Sequence, residues 1–381
     1  FGGTLKEVRT DDLGAIPIRE ILKRTGIDAN KIDDVIIGCA NQAGEDNRNV
    51  ARMSLLLAGL PFTVPGETVN RLCASGMSSV IHAHRAIAAG DGDLFIAGGV
   101  ENMTRGPWVI SKVSKPFGRD AQMHDSSFGW RFVNKKMKEL YGVDGMGNTA
   151  ENLAEKYNIS REDQDKFAYN SQMKAARAQA EGRFDEEIVA VEIPQRKKDS
   201  IIFNKDEFIR ANTTTEILGK LRAAFKKEGG TVTAGNASGL NDGSAAMLLA
   251  SEKGMKENNL TPLAKIVSSA VLGVQPRIMG IGPVMASNKA LEKAGLTMDD
   301  MDIIELNEAF SAQALACIRE WGLKDNDPRI NPNGGAIALG HPLAASGTRI
   351  LHTAAIELKK QNKKYALVSM CIGVGQGYAT I

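Results

Sequence analysis

An internal repeat constrains the fold of this chain more than any other feature of its sequence. A short apolar strand pattern begins near Asp34 and recurs near Asp302, 268 residues later. A helix pattern opened by Gly76 recurs at Gly347, 271 residues later. Two separate elements therefore share nearly the same offset, and a nearly constant offset indicates duplicated halves.

Each half alternates strands and helices. In the first half the helical run Met77–Ala89 leads through a polar turn to the strand Leu94–Gly99. In the second half the helix Thr348–Lys360 leads in the same way to the strand Tyr365–Cys371. This alternation predicts a mostly parallel sheet with helices packed on its faces. We therefore expect an α/β fold with layered helices and sheets and a pseudo-twofold axis.

The middle of the chain breaks the repeat, and we interpret it as an insertion in the first half. We predict an N-terminal half over residues 1–103 that resumes at about 234–258, an inserted loop domain over 104–233, and a C-terminal half over 259–381. Ser160 is the predicted N-cap of a helix in the insertion. Because ligands of α/β sheets sit at the carboxyl ends of strands, an insertion there is expected to cover the substrate.

Charge, hydropathy and cysteine spacing exclude several classes of protein. The 381 residues carry a formal net charge of +2, so no overall field favours nucleic acid or an anionic membrane surface. No apolar run approaches the roughly 18–20 residues that span a bilayer. The four cysteines lack the spacing of a zinc ribbon or a redox CxxC motif, which predicts no metal site and a reducing, cytoplasmic location.

Three residues at helix starts and strand ends are candidates for chemistry. Cys73 immediately precedes a helix, whose free N–H groups lower the pKa of a thiol and stabilise negative charge. His341 occupies the matching turn of the second half, and Cys371 ends its last strand. A lone cysteine is usually a small buried hydrophobic residue, which is our interpretation of Cys39 and Cys317. The matching positions of the other three residues favour a Cys–His nucleophilic site.

Four motifs around these positions resemble those of the thiolase family in order and spacing. They are Asn70–Gly76 (NRLCASG), Asn307–Phe310 (NEAF), Gly340–Leu343 (GHPL) and Cys371–Gly375 (CIGVG). The resemblance covers essentially the whole chain. It implies a thiolase-like layered α-β-α-β-α architecture from two duplicated halves. The segments Gly38–Met53 and Phe128–Asn134 are most similar to the β-ketoadipyl-CoA thiolase branch.

The resemblance implies a role for each candidate residue. Cys73 is the nucleophile that accepts the acyl group, and His341 is a base, titrating near neutrality, that takes protons from Cys73 and coenzyme A. Cys371 is the second acid/base, which protonates the acetyl carbanion on cleavage or removes the α-proton in synthesis. His341 and a water held by Asn307 stabilise the enolate oxygen. The backbone N–H groups of Cys73 and Gly373 form a second oxyanion hole.

Acyl-CoA and coenzyme A are implied as substrates, with no permanently bound cofactor. Ten positions match the family's contacts to coenzyme A: Met146, Arg210, Leu221, Phe225, Ala234, Gly235, Ser238, Met279, Ala309 and Phe310. Arg210 is the best charged candidate for the nucleotide end. The alternative for Met146, Leu221 and Met279 is that they are ordinary core residues.

Three features depart from the family pattern. Ala344 stands where many relatives have glycine, and its methyl group is harmless at negative φ but strained at positive φ. Gly145 stands where some relatives have a histidine, which removes one contact to coenzyme A. A first, central strand of the family is absent before Phe1, so we expect the sequence to be shortened relative to the natural protein.

The resemblance implies an active acyltransferase that cleaves 3-oxoacyl-CoA with coenzyme A to acetyl-CoA and a shortened acyl-CoA. The alternatives are formation of acetoacetyl-CoA from two acetyl-CoA and a catalytically silent scaffold, which the retained motifs disfavour. The branch resemblance makes 3-oxoadipyl-CoA the candidate substrate.

Arg131 is the candidate partner of the terminal carboxylate of that substrate. Alternatively, Arg131 stacks at the surface on Trp130 and Phe132. Sheets placed side by side leave open edges, which predicts a homodimer or a dimer of dimers.

Overall fold

The structure, a computed structural model, describes residues 1–381. The helices are α1 (Thr10–Thr25), α2 (Val50–Leu57), α3 (Ser75–Ala89), α4 (Lys135–Tyr141), α5 (Met146–Lys156), α6 (Arg161–Ala180), α7 (Thr215–Gly219), α8 (Glu252–Glu257), α9 (Gly282–Ala294), α10 (Ser311–Glu320), α11 (Ala336–Leu339) and α12 (Leu343–Gln361). The strands are β1 (Asp34–Gly38), β2 (Gly66–Val69), β3 (Leu94–Asn102), β4 (Trp108–Ile110), β5 (Met123–Asp125), β6 (Val191–Gln195), β7 (Lys198–Phe203), β8 (Asp242–Ala250), β9 (Ser269–Gly273), β10 (Ile303–Leu306), β11 (Ala366–Ile372) and β12 (Gln376–Thr380). None of the helices combines the length and the apolar character needed to cross a membrane.

Two mixed sheets of four strands form the two halves. Their strand orders are β2-β1-β3-β8 and β10-β11-β12-β9. In the first sheet β1 pairs in parallel with β3, with Gly38 opposite Gly99. In the second, β10 pairs in parallel with β11, with Leu306 opposite Ser369. The next strand, β8 or β12, is antiparallel in both sheets. The same pairing pattern in both sheets confirms the duplication.

The helices form three layers around the two sheets. Side chains alternate along each strand, so Val35 and Ile37 of β1 pack against α1 and α2, whereas Ile36 packs against α3. In the second sheet Ile303 faces the α3 and α12 layer, whereas Ile304 packs against α9 and α10. The order is therefore α1/α2, sheet, α3/α12, sheet, α9/α10. This order confirms the α-β-α-β-α architecture expected from the sequence.

Two equivalent glycines let the central helices α3 and α12 cross in direct contact. A Cβ atom on Gly76 would overlap the carbonyl oxygen of Ala344. A Cβ atom on Gly347 would lie 2.6 Å from the backbone nitrogen of Met77. Glycine is therefore required at both positions for steric reasons. The crossing brings the starts of both helices, and with them Cys73 and His341, to one place.

The insertion lies between β3 and β8 and contains two hairpins, β4–β5 and β6–β7, and helices α4 to α7. Ser160 caps α6 as expected, because its side chain accepts a hydrogen bond from the backbone of Asp163. After the insertion, β8 returns to the first sheet beside β3. The exact domain boundaries stay a prediction.

The second sheet has an edge strand without an equivalent in the first. This strand, β9, pairs only with β12. The equivalent position in the first sheet is the open side of β8.

Candidate active site

A fixed turn presents Cys73 at the start of α3. Cys73 lies in a single 3-10 turn directly before the helix. Asn70 accepts a hydrogen bond from the backbone of Leu72 at 2.9 Å, and the Ser75 hydroxyl donates to the carbonyl of Leu72 at 2.7 Å. These bonds hold Leu72 at a φ of 47°, a left-handed conformation that non-glycine residues seldom adopt. The position of the thiol is therefore determined by the turn.

Two backbone N–H groups are directed at the sulfur of Cys73. They belong to Cys73 itself and to Gly373, and both favour the thiolate. Burial of the side chain is the larger effect and raises the pKa of Cys73 to about 11. The expectation that a helix start lowers this pKa below the usual value is therefore wrong, because desolvation outweighs the donors. At neutral pH the resting residue is a thiol.

His341 lies just before α12 and is buried. Its Nδ1 atom is 2.6 Å from the Ser346 hydroxyl, and its Nε2 atom is 3.5 Å from Nδ2 of Asn307. Its backbone N–H donates to Asn241 at 3.0 Å. Burial, followed by the charge of Arg349, lowers the pKa of His341 to about 4. The residue does not titrate near neutrality as expected, and at pH 7 it is a neutral imidazole.

Asn307 directly follows β10, and Cys371 is the penultimate residue of β11. The backbone of Asn307 donates to Ser369, and its side-chain Oδ1 is buried without a hydrogen-bond partner. A buried unpaired carbonyl oxygen can accept a hydrogen bond from a bound molecule. Cys371 is fully buried, and burial, followed by the charge of Cys73, raises its pKa well above the usual value. The strand β11 that carries Cys371 packs against the turn that carries Cys73.

The two halves together thus place a thiol, an imidazole, an amide and a second thiol at one locus. Cys73 comes from the first half, and His341, Asn307 and Cys371 come from the second. The turn after Cys371 closes through Gly375, at a φ of 87°, and contributes the N–H of Gly373. Acyl transfer needs a nucleophile, a base and oxyanion donors, and a thiol, an imidazole and backbone N–H groups are groups of these kinds.

A row of half-exposed apolar side chains leads away from this locus. The sulfur of Met146 lies beside Gly373, and Phe225 packs on Gly147. Phe225 also makes an edge-to-face contact with Phe310, with ring centroids 6.3 Å apart. Met146, Leu221 and Phe225 remain 37–44% exposed. Such a surface fits a narrow apolar ligand arm.

The other positions predicted to contact coenzyme A divide between this surface and the core, where Ala309 and Phe310 are 6% and 8% exposed members of the largest core cluster. Ser238 donates to the carbonyl of Ala309 at 3.1 Å, and Gly235, with the exposed Ala234 beside it, contacts Leu221. Arg210 is exposed and stacks on Phe208, which touches Gly239. Met279 is 1% exposed and belongs to the largest core cluster, so the structure places it in the core.

Comparison with known proteins decides the family. A model of the thiolase N-terminal domain matches residues 1–253, and a model of the thiolase C-terminal domain matches residues 260–381. The chain belongs to the thiolase family. It is 57% identical over 382 residues to the beta-ketoadipyl-CoA thiolase of Acinetobacter baylyi, covering 100% of this chain and 95% of that protein. It has the same identity and coverage with the 3-oxoadipyl-CoA/3-oxo-5,6-dehydrosuberyl-CoA thiolase of Escherichia coli.

A solved structure agrees with this assignment. The acetyl-CoA acetyltransferase of Bacillus anthracis superposes with a TM-score of 0.92 at 40% identity, covering 100% of this chain and 94% of that one. This thiolase is therefore an acyltransferase with the family's fold. Ala344 fits that fold without strain, because it lies in the first turn of α12 and its φ is not positive.

Arg131 of the thiolase has only neutral partners. Its Nη1 atom donates to the carbonyl of Ser126 at 3.2 Å, and its Nη2 atom donates to the side-chain oxygen of Asn41 at 3.2 Å. The neighbouring Trp130 instead donates to the carbonyl of Asp144. The interpretation that Arg131 only stacks on its aromatic neighbours is therefore wrong. Its charge is not neutralised by any carboxylate of the chain.

Two residues of the thiolase site were missed by sequence reasoning. Ser346 contacts His341 from one turn inside α12, and five residues of spacing carry no recognisable signal. Glu101 is 1% exposed and lies at the end of the apolar strand β3, where a single charged residue is a signal that could have been noticed. One ligand atom each of Cys39, Asp46 and Glu101 lie within 4.8 Å of one another.

Proposed function

We propose that this thiolase cleaves 3-oxoadipyl-CoA with coenzyme A to give acetyl-CoA and succinyl-CoA. The observation that carries the proposal is the unneutralised guanidinium of Arg131 near the nucleophile turn. Asn41 accepts from Arg131, and the carbonyl of the preceding residue, Ala40, accepts a hydrogen bond at 3.0 Å from Asn70. Asn70 in turn holds the residue next to Cys73. The names of the 57% identical relatives support the same substrate.

Arg131 suits a terminal carboxylate for physical reasons. A partly buried guanidinium that donates only to neutral oxygens retains most of its attraction for an anion. In the succinyl form of Cys73, the free carboxylate lies three carbon–carbon bonds beyond the thioester carbon. The carboxylate is therefore close to Cys73 along the acyl chain. The hydrogen bonds through Asn41 and Asn70 place the Arg131 cation on the loop next to the Cys73 turn.

Cleavage begins with attack of the Cys73 sulfur on the 3-oxo carbon, while Nε2 of His341 takes the thiol proton. The backbone N–H groups of Cys73 and Gly373 stabilise the oxyanion that forms. The bond between carbons 2 and 3 then breaks, and its electron pair forms the enolate of acetyl-CoA. His341 and Asn307 stabilise the enolate oxygen, and Cys371 donates the proton that completes acetyl-CoA.

Coenzyme A then takes the acyl group. It enters along the apolar row of Met146, Leu221 and Phe225, after the proton that His341 took from Cys73 has been returned to the Cys371 thiolate. Its thiol then loses a proton to His341 as it attacks the acyl-Cys73 thioester, and that proton returns to the released Cys73 sulfur. The same steps in reverse join two acetyl-CoA into acetoacetyl-CoA. Acyl-CoA and coenzyme A thus act as substrates of the site.

A trapping experiment tests the residue roles. After incubation with acetyl-CoA and a rapid acid quench, mass spectrometry should place the acetyl group on Cys73, and Cys73→Ser should lose nearly all turnover. Cys39 and Cys317 are the controls, because they are the other two free, buried thiols of the chain. An acetyl group on either control would contradict the assignment.

The substrate is tested by kcat/KM for 3-oxoadipyl-CoA and acetoacetyl-CoA. The dicarboxylate substrate should be preferred, and Arg131→Ala should reduce the preference by about 10- to 150-fold, as for a charged hydrogen bond of about 1.5–3 kcal/mol. Arg119→Ala is a matched control, because Arg119 is an exposed arginine of the same insertion. A preference for acetoacetyl-CoA, or equal loss on both substrates, would favour the general or biosynthetic thiolase.

Assembly and location complete the proposal. Both edge strands of the first sheet, β2 and β8, have an open side, and we propose that two subunits pair across an edge as a homodimer or as a dimer of dimers. Light scattering from a stable monomer at micromolar concentration would contradict this. The four free cysteines support a reducing compartment, and we propose the cytoplasm.

A further inference from the structure

The pseudo-twofold axis relates the active site to a second location that the proposed mechanism does not use. In the strand registers, Ile96 of β3 and Ala366 of β11 hold equivalent places, because they pair with the equivalent residues of β1 and β10. Glu101 lies five residues after Ile96, and Cys371 lies five residues after Ala366, so Glu101 and Cys371 are equivalent as well. On the central helices, the 271-residue offset of the glycines makes Ala344 the equivalent of Cys73. A buried carboxylate therefore stands where the active site has its second thiol.

Backbone hydrogen bonds fix the carboxyl group of Glu101 at this location. Its carboxylate accepts three backbone hydrogen bonds, from Ala40 at 3.0 Å, from Asn41 at 3.0 Å and from Ala344 at 3.3 Å. Ala344 donates from the first turn of α12, where the free N–H groups of a helix favour negative charge. In the active site the equivalent N–H, that of Cys73, is directed at the reacting sulfur instead.

The three bonds join parts of the chain that flank the substrate. Ala344 follows His341 by three residues, so the bond to Glu101 holds the turn that carries the base. Asn41 is the residue that accepts from Arg131. Glu101 therefore contacts both the loop that positions the base and the loop that faces the acyl end. These two loops come from opposite halves of the molecule.

The other two members of the buried cluster do not make this connection. Asp46 accepts from Gln42 at 3.1 Å and from Gly44 at 2.9 Å, both within its own loop, and Cys39 faces Asp46 at 3.5 Å. Burial raises the pKa of Glu101 to about 7, so the three donors stabilise an anion that is otherwise disfavoured. Both oxygens of Glu101 accept backbone N–H bonds, so the cluster satisfies its charge without a metal ion.

We propose that Glu101 is a positioning residue for catalysis: it ties the start of α12, and with it His341, to the loop of Ala40 and Asn41. The inference rests on the role of His341 as the base proposed above. A displacement of about 1 Å at a general base reduces rates by up to roughly 100-fold, so a single lost tie is measurable.

Glu101→Gln tests the proposal, because glutamine has the same shape but only one acceptor oxygen for three donors. Acetylation of Cys73 by acetyl-CoA, followed by quench and mass spectrometry, should slow by about tenfold or more. The KM for coenzyme A should stay within about twofold, because the apolar row is untouched. Asp46→Asn is the matched control and should acetylate at close to the wild-type rate, because its bonds stay within one loop.

A double variant separates positioning from general damage. In a His341→Asn background, Glu101→Gln should cause no further loss of acetylation rate, because its effect passes through His341. The proposal is overturned if Glu101→Gln acetylates at the wild-type rate, or if it causes the same fold-loss in both backgrounds. A His341→Asn variant with full activity would instead contradict the proposed base. If Glu101→Gln does not fold, Glu101→Asp keeps the charge and withdraws it by one methylene, and the same comparison applies.

Discussion

At the residue scale, burial decides the protonation states of the catalytic pair. The pKa of Cys73 is raised to about 11 and that of His341 is lowered to about 4, so at pH 7 the pair is a thiol and a neutral imidazole. An ion pair of thiolate and imidazolium is disfavoured on both sides. Proton transfer therefore accompanies attack, when the oxyanion forms opposite the N–H groups of Cys73 and Gly373. Once Nε2 of His341 has taken the proton of Cys73, it can donate that N–H to the enolate oxygen.

The contact of His341 with Ser346 sets the tautomer. If Nε2 is to accept the proton of Cys73, the ring hydrogen must lie on Nδ1 and be donated to the Ser346 hydroxyl at 2.6 Å. Ser346→Ala should lower the rate of Cys73 acetylation by about 10- to 100-fold and leave the KM for coenzyme A unchanged.

The tautomer itself can be observed. Nitrogen-15 NMR of histidine-labelled protein should show a protonated Nδ1 and an unprotonated Nε2 at His341 in the wild type. The chain has only five histidines, which keeps the assignment tractable. A wild-type spectrum with the hydrogen on Nε2 would contradict the proposed geometry, whatever the activity of Ser346→Ala.

The two catalytic thiols should have separable functions. Cys371→Ala should still acetylate Cys73, because His341 alone activates that thiol. It should fail to make or break the carbon–carbon bond, because the enolate then lacks its proton donor, and a loss of about 100-fold or more is expected. Loss of the acetoacetyl-CoA absorbance on adding coenzyme A measures this step. Normal thiolysis by Cys371→Ala would make Cys371 a structural residue.

The sequence predicted the identity of the reacting residues better than their chemistry. The positions of Cys73, His341 and Cys371 at strand ends and helix starts were visible as motifs. Their pKa values were not, because desolvation depends on side chains from both halves and outweighs the local effect of a helix start. Ser346 and Glu101 belong to no motif. Ser346 is placed by its contact with His341, and Glu101 is placed by the strand registers of the two halves.

At the element scale, the crossing of α3 and α12 is the part of the fold on which the site most depends. Gly347→Ala would place a methyl group against the backbone of Met77, and backbone cannot move aside as a side chain can. We expect a loss of about 1–3 kcal/mol in unfolding free energy and a larger loss of activity, since both catalytic helix starts shift.

Gly219→Ala in α7 is the matched control for this prediction. A Cβ atom at Gly219 meets nothing within 4 Å, so the substitution should be neutral or slightly stabilising. Thermal unfolding and thiolysis rates of both variants give the comparison. Equal behaviour of the two variants would show that the helices separate more easily than the close contact implies.

Periodicity found the main helices and strands but misplaced the starts of two helices. The sequence indicated helices from Met77 and from Thr348. In the structure α3 begins at Ser75 and α12 begins at Leu343. The small residues Ala344 to Gly347 suggest a turn, but in the structure they form the buried first turns of α12, where only small side chains fit against α3. Hydrophobic spacing cannot reveal a helical segment whose residues are small because two helix backbones pack in direct contact there.

At the scale of the whole molecule, the offset between halves was sufficient to predict the layered architecture. The offset did not place the edge strands, because it shows which elements of the two halves are equivalent but not the order of the strands within a sheet. The edge position of β9 became clear only from its pairing with β12. Stability, like the active site, depends on charges buried where the two halves and the insertion meet.

Buried carboxyl groups should make the molecule less stable as the pH rises above 6.5. Glu305 is 1% exposed with one oxygen unpaired, and burial raises its pKa from 4.5 to about 8; Glu101 shifts in the same direction. Because the folded state then holds protons that the unfolded state has lost, stability falls between pH 4.5 and 8. The lowered pKa of His341 acts in the opposite direction, but only between about 4 and 6.5.

Glu305→Gln isolates this effect, because it removes the titrating group and keeps the shape. The melting temperature of the variant should be close to that of the wild type at pH 5 and should exceed it increasingly up to pH 8. The free-energy difference at pH 8 should reach about 3–5 kcal/mol, since each pKa unit corresponds to about 1.4 kcal/mol. Glu139→Gln, at an exposed position, should show no such pH dependence. A constant difference between Glu305→Gln and the wild type from pH 5 to 8 would mean that Glu305 is ionised in the fold, held by the nearby charge of Arg349.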